Sequence, residues 1–283
     1  MGVRLPVFGV YEKALHKDPF EKMFDDILRA GYDSLEFSVD GTDERLARLD
    51  WSLGEIHAVR RAAEERSVRI MTLCLSGHKR FSMGNPDPEK RARGLEMMEK
   101  ALRLAAHLGV RIIQYSGFDV FEDELRTQDT HDWYVDNTYK AARMAERAGV
   151  MLAIEPVEGH LLTVKDTMEV VDLIDSPFLT VYPDPANILS LGVDPLTDLP
   201  YGRGRITAVH MRDSLPRIYD ATIPFGTGDL DFDGVFRTLD ELCFAGPFIV
   251  EMWNEDREDY IEYLIQAREY MTESIRRTGF GQW

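Results

Sequence analysis

Cysteine is nearly absent. There are two in 283 residues, Cys74 inside an apolar run and Cys243 near the end of a helical stretch, with no Cys-x-x-Cys spacing. That excludes a disulfide framework, and both thiols are expected to be buried in a reducing compartment. Basic charge is scarce as well, with 33 Lys and Arg against 50 Asp and Glu and a formal net charge of −17. A surface of that sign repels a phosphodiester backbone, so nucleic acid is not an expected partner, and any anionic ligand must be small and locally gripped. No window approaches the ~18 apolar residues of a membrane span, and residues 1–10 carry a single basic side chain. No membrane partner is therefore expected, and the cytoplasm is the expected location. Linkers rich in Ser, Gly or Pro and low-complexity tracts are missing too, so one domain over 1–283 suffices.

What is present is enough to fold: 44% hydrophobic residues and aromatics spread along the chain. Short β-branched or apolar runs at 6–10, 34–38, 69–75, 111–115, 151–155, 179–183, 206–210 and 248–251 predict eight strands. Between them, 20–30, 53–66, 94–108, 133–148, 164–174, 232–242 and 260–276 space their apolar residues at three- and four-residue intervals, which predicts helices. Four junctions repeat a helix tail, a glycine, one residue and a strand, at Gly31, Gly109, Gly149 and Gly246. Glycine ends a helix in the left-handed conformation without a Cβ clash. Eight such βα units in one chain of this length predict a single (β/α)8 TIM barrel. The rival, a doubly wound open sheet, usually carries Gly-x-Gly-x-x-Gly after its first strand, and Gly9-Val10-Tyr11-Glu12 offers none.

Chemistry concentrates at the strand ends. Strands five to eight close on Glu155, Asp184, His210 and Glu251, which a barrel would deliver to one rim. Three carboxylates converging without a cation would repel one another and be costly to desolvate. With one imidazole they suit a single divalent ion of the Mn, Mg, Co or Zn kind, since hard oxygen ligands dominate. His78 follows strand three directly and would overhang the same rim, whereas His16, His57, His107, His131 and His160 fall in loops or on helices and are expected to be structural or solvated. A positive arc of Lys13, Lys79, Arg80 and Arg212, with the backbone N–H groups of Gly226 and Gly228, would suit a phosphate on a substrate.

Several longer stretches are more specific. Gly9-Val10-Tyr11-Glu12-Lys13-Ala14-Leu15, Leu35-Glu36-Phe37-Ser38-Val39-Asp40, and Arg45 through Ser52 resemble the L-ribulose-5-phosphate 3-epimerases, also called L-xylulose-5-phosphate 3-epimerases, of the xylose-isomerase-like barrel superfamily. Cys74 through Phe81, Tyr182-Pro183-Asp184, Ala208-Val209-His210 and Val250-Glu251-Met252-Trp253 extend the resemblance over essentially the whole chain. It implies an isomerase that inverts C3 of a ketose phosphate through an enediolate, with a divalent metal on Glu155, Asp184, His210 and Glu251. Glu155 and Glu251 would be the acid–base pair. Glu36 and His78 become candidates either to support the metal ligands from behind or to contact substrate hydroxyls, and Lys13, Arg80 and Arg212 phosphate candidates. Barrels of this kind commonly pair, so a homodimer is expected. Two departures stand out: Phe225-Gly226-Thr227-Gly228 replaces the family's Phe-Gly-Glu-Gly, and Arg212-Asp213 its Lys-Asp. The first removes a carboxylate near the substrate and puts the sugar rather than the reaction type in question; the rival readings are an epimerase or isomerase of an unphosphorylated ketose or a hexulose 6-phosphate, and a non-catalytic sugar-phosphate binding protein.

Overall fold

The computed structural model describes residues 6–121, 125–157 and 159–281, so residues 1–5 of the N-terminal stretch and 122–124 of the loop after the fourth strand lie outside it. Strand and helix alternate in the expected order. The elements are β1 (Phe8–Tyr11), α1 (Phe20–Arg29), β2 (Ser34–Ser38), α2 (Asp43–Leu46), α3 (Leu53–Glu65), β3 (Arg69–Cys74), α4 (Pro88–Leu108), β4 (Ile112–Ser116), α5 (Gln128–Ala148) and β5 (Met151–Glu155). They continue with α6 (Val164–Ile174), β6 (Leu179–Val181), α7 (Pro185–Ser190), α8 (Pro195–Asp198), β7 (Val209–Met211), α9 (Phe232–Glu241), β8 (Phe248–Val250) and α10 (Tyr260–Thr278). All eight strands belong to one sheet in the order β6-β5-β4-β3-β2-β1-β8-β7, and the fold is a TIM barrel.

Helix starts are where the periodicity falls short. α4 begins at Pro88, with Asp87 accepting from the Glu89 amide at 2.8 Å. α5 begins at Gln128, behind a capping box in which Thr127 and Thr130 each accept from the other's amide, at 3.2 and 3.0 Å. Those first turns are polar, so an apolar stripe cannot reveal them; the caps satisfy amides that have no partner inside the helix. At the helix ends Gly31, Gly109 and Gly149 take the left-handed conformation, with φ of 83°, 84° and 68°. The fourth junction differs. Cys243 takes that conformation instead, with φ 56°, and Gly246 is required because a Cβ there would lie 2.2 Å from the Thr207 carbonyl oxygen. Cys243, on the turn that ends α9, is consequently exposed, contrary to the expectation of two buried thiols; Cys74 is buried.

The chain packs as two compact units, Met1–Glu36, Ala62–Arg69 and Tyr182–Trp283 in the first, Phe37–Arg61 and Ile70–Val181 in the second. In the first, β1 pairs in parallel with β2 and β8, bringing Tyr11 opposite Glu36 and Val10 opposite Val250. Phe248, fully buried, anchors its core, with the rings of Phe8, Phe236, Phe244 and Phe280 centred 5.9, 5.1, 5.2 and 5.5 Å away. In the second, β4 pairs with β3 and β5, placing Ser116 opposite Glu155. Every residue of β1, β2 and β4 is buried, as parallel strands covered on both faces require.

Phe248→Ala should lower the unfolding free energy by about 3–5 kcal/mol in urea titrations, since it deletes a ring from a close-packed cluster. Leu173→Ala, at a position 72% exposed, should stay within about 0.5 kcal/mol of the parent.

Candidate active site

The residues after β6 and the ends of β7 and β8 carry a buried ionisable cluster in the first unit. His210, on β7, is 1% exposed and lies between two carboxylates. Its Nε2 is 2.7 Å from Glu36 Oε2 and its Nδ1 is 3.2 Å from Glu251 Oε2. The Tyr182 hydroxyl donates to the other Glu36 oxygen at 2.9 Å, and the Tyr182 ring packs edge-on against the imidazole with centroids 4.6 Å apart. Asp184 caps α7, accepting from the Ala186 amide at 2.8 Å, while its second oxygen accepts from Arg212 Nε at 2.8 Å. Burial pushes the Asp184 carboxyl above its ordinary value, Arg212 pulls it back, and the negative charge of Glu251 adds to the rise.

The charges do not balance among these side chains. Glu36, Asp184 and Glu251 are buried carboxylates, and they meet one guanidinium and one imidazole. An excess of buried negative charge is costly unless a cation compensates it. Oxygen donors with one imidazole are the set a divalent ion takes. On the second unit Glu155 ends β5, buried, and accepts from the Gln114 side-chain amide of β4. In the first unit, His210 and Glu251 each offer a buried ligand atom of the kind a metal ion takes.

The expected phosphate contacts fare differently. Arg212 is 1% exposed and turned inward, onto Asp184, Asn187 and the Asp220 carbonyl, with the Tyr219 ring 4.7 Å from its guanidinium carbon. Asp184 holds its charge firmly in place despite burial. The Gly226 and Gly228 amides both donate to Asp213 Oδ2, at 2.8 and 2.9 Å, so a carboxylate of the chain itself takes the place anticipated for an anion. Arg80 is exposed and paired with Asp43 at 2.5 Å. Lys13, after β1, lies with its Nζ 5.7 Å from the centre of the Trp253 ring, and its carbonyl accepts from the Asn254 amide at 3.0 Å. His78 is packed inside, its Nε2 3.0 Å from the Gly94 carbonyl oxygen, with its ring against Tyr115.

A family model described as xylose isomerase-like TIM barrel matches residues 24–276. The chain is 37% identical over 276 residues to the L-ribulose-5-phosphate 3-epimerase UlaE of Shigella boydii serotype 18, covering 96% of this chain and 95% of that one. The same identity and coverage hold for the protein of that name from Escherichia coli strain SE11. The chain belongs to the L-ribulose-5-phosphate 3-epimerase family of xylose isomerase-like TIM barrels. Solved structures agree on the fold of this epimerase family member. An L-ribulose 3-epimerase superposes with a TM-score of 0.81 at 18% identity, over 97% of this chain and 96% of that one. A D-psicose 3-epimerase superposes with a TM-score of 0.81 at 17% identity, over 96% and 99%.

Tyr182, Asn187, Gln114 and Asp213 were not legible as site residues from spacing. Tyr182 does sit within the Tyr182-Pro183-Asp184 stretch, and Asp213 beside the Arg212 departure, but neither carries a ligand pattern. The inward packing of His78 also has a consequence for this epimerase. Burial pulls its imidazole down to about 4 from the usual 6.5, so it is neutral in the fold while the unfolded chain takes up a proton below 6.5. Stability should therefore fall as pH drops from 6.5 toward 4, by about 3 kcal/mol in total from this group. Urea midpoints across that window should show the slope, and His78→Gln should flatten it.

Proposed function

We propose that this chain interconverts L-ribulose 5-phosphate and L-xylulose 5-phosphate by removing the C3 proton and returning one on the opposite face. The observation that carries the reading is the likeness to L-ribulose-5-phosphate 3-epimerases over nearly the full length of both chains, at 37% identity. The buried carboxylate–imidazole–carboxylate arrangement at His210 supports the reaction type, because inversion beside a ketone needs proton transfer together with charge stabilisation.

Glu155, Asp184, His210 and Glu251 would hold one divalent ion, which supplies Lewis-acid stabilisation of the charge that develops when C3 loses its proton, worth several kcal/mol. The chain's own residues do the rest. Glu155 and Glu251 form the acid–base pair, one taking the proton and the other delivering it to the opposite face. Gln114 holds Glu155 in place by one carboxylate oxygen. Arg212 and the Ala186 amide fix Asp184 by one oxygen each. Lys13, beside Trp253, and the exposed Arg80 would meet the phosphate. The enzyme acts in the cytoplasm as a homodimer in this reading.

One observation favours a second reading, an unphosphorylated ketose as substrate. Arg212, Gly226 and Gly228, three of the anticipated phosphate contacts, are engaged with the protein itself. Competition separates the two: inorganic phosphate should inhibit a phosphosugar enzyme competitively and leave the other nearly untouched.

In D2O, product and recovered substrate should gain deuterium at C3, and Glu155→Gln or Glu251→Gln should slow that exchange at least 100-fold. Full exchange in either variant removes that glutamate from the pair. Chelation should abolish turnover and added Mn2+ restore it, whereas activity that survives rigorous metal removal excludes the Lewis acid. Lys13→Ala should raise KM for the phosphorylated sugar about 10- to 100-fold with little change in kcat, as loss of a charged contact of about 1.5–3 kcal/mol implies.

A further inference from the structure

We infer that Glu36 is a positioning residue that selects which nitrogen of His210 faces the metal, rather than a contact to a substrate hydroxyl. The inference rests on the metal reading above and adds a role within it. Glu36 ends the first unit's share of β2 and is 0% exposed. Both of its oxygens are engaged, Oε1 by the Tyr182 hydroxyl at 2.9 Å and Oε2 by His210 Nε2 at 2.7 Å. Its two oxygens serve side chains of the protein itself rather than a sugar.

What it does instead follows from donor and acceptor bookkeeping. A carboxylate oxygen at 2.7 Å from Nε2 requires the proton on that nitrogen, since two lone pairs at that distance repel. Nδ1 is then the ring nitrogen left on the Glu251 side, 3.2 Å from Oε2, and with a cation in place of any proton there the two would be converging acceptors. Two converging acceptors are a coordination corner for a cation. The ring cannot turn over to exchange its nitrogens without breaking the Glu36 bond and pushing past the Tyr182 ring, 4.6 Å away. A carboxylate behind a metal-ligating histidine fixes the ring's orientation and raises its basicity, and its loss typically costs 10–100-fold in metal affinity. Tyr182 anchors the anchor: by holding Oε1 it leaves Oε2 aimed at the imidazole.

The test is nitrogen-15 NMR of histidine-labelled wild-type protein loaded with Zn2+, which is diamagnetic. His210 should show a protonated Nε2 and a metal-shifted Nδ1. A metal-shifted Nε2 would overturn the assignment of Glu36 while leaving the metal site standing. Failure of Zn2+ to bind anywhere in the chain would bring down the metal reading and this inference with it. Glu36→Gln should weaken Zn2+ binding 10–100-fold in chelator competition, and Tyr182→Phe should weaken it less. Affinity within twofold of wild type in Glu36→Gln contradicts the role. The wild-type spectrum decides the matter even if that variant does not fold.

Discussion

The interaction on which the rest depends is the burial of one imidazole between two carboxylates. His210 is enclosed at 1% exposure, with Glu36 behind it and Glu251 in front. Neither partner can be there for stability alone, because ionised side chains taken out of water return less than they lose unless every lone pair and proton is matched. The surrounding bonds do this matching: Tyr182 takes the spare oxygen of Glu36, and Arg212 with the Ala186 amide takes both oxygens of Asp184. What they leave uncompensated is net negative charge, and that surplus is the property a divalent ion would use.

The same economy of charge explains the loop after β7. Arg212 appears on sequence as a cation at the barrel rim, yet its value to the structure lies in neutralising Asp184 and in its bond to Asn187. Its neighbour Asp213 turns the other way and gathers the Gly226 and Gly228 amides. One dipeptide thus ties two segments of the first unit, α7 and the glycine loop. A phosphate arriving there would have to displace a carboxylate already hydrogen-bonded to both amides, which makes this loop a scaffold for the site more than a cradle for the substrate.

The order of the elements was legible because parallel strands buried on both faces are written as short apolar runs, and glycine marked three helix ends by its positive φ. The strand-end residues Glu155, Asp184, His210 and Glu251 were legible for the same reason, each being a polar residue that interrupts or terminates such a run. Helix starts at Pro88 and Gln128 were not, since their capping turns are polar. Nor was the inward turn of Arg212 and His78, because direction around a strand end depends on packing partners far away in sequence. Gly94, against which His78 packs, and Asp184, which draws Arg212 inward, have no signature that pairs them with their partners in one dimension. Glu36 was visible as a candidate, but sequence could not choose between a supporting role and a substrate contact, since it could not show that Tyr182 and His210 bond to its two oxygens.

The central claim is that these side chains hold a metal ion, and anomalous diffraction from crystals grown with Zn2+ tests it most directly. The account predicts one strong peak about 2.0–2.2 Å from carboxylate oxygens of Asp184 and Glu251 and from His210 Nδ1, with Glu155 completing the set. Crystals in metal-rich buffer that show only water among these side chains, or a peak bound elsewhere, would contradict it.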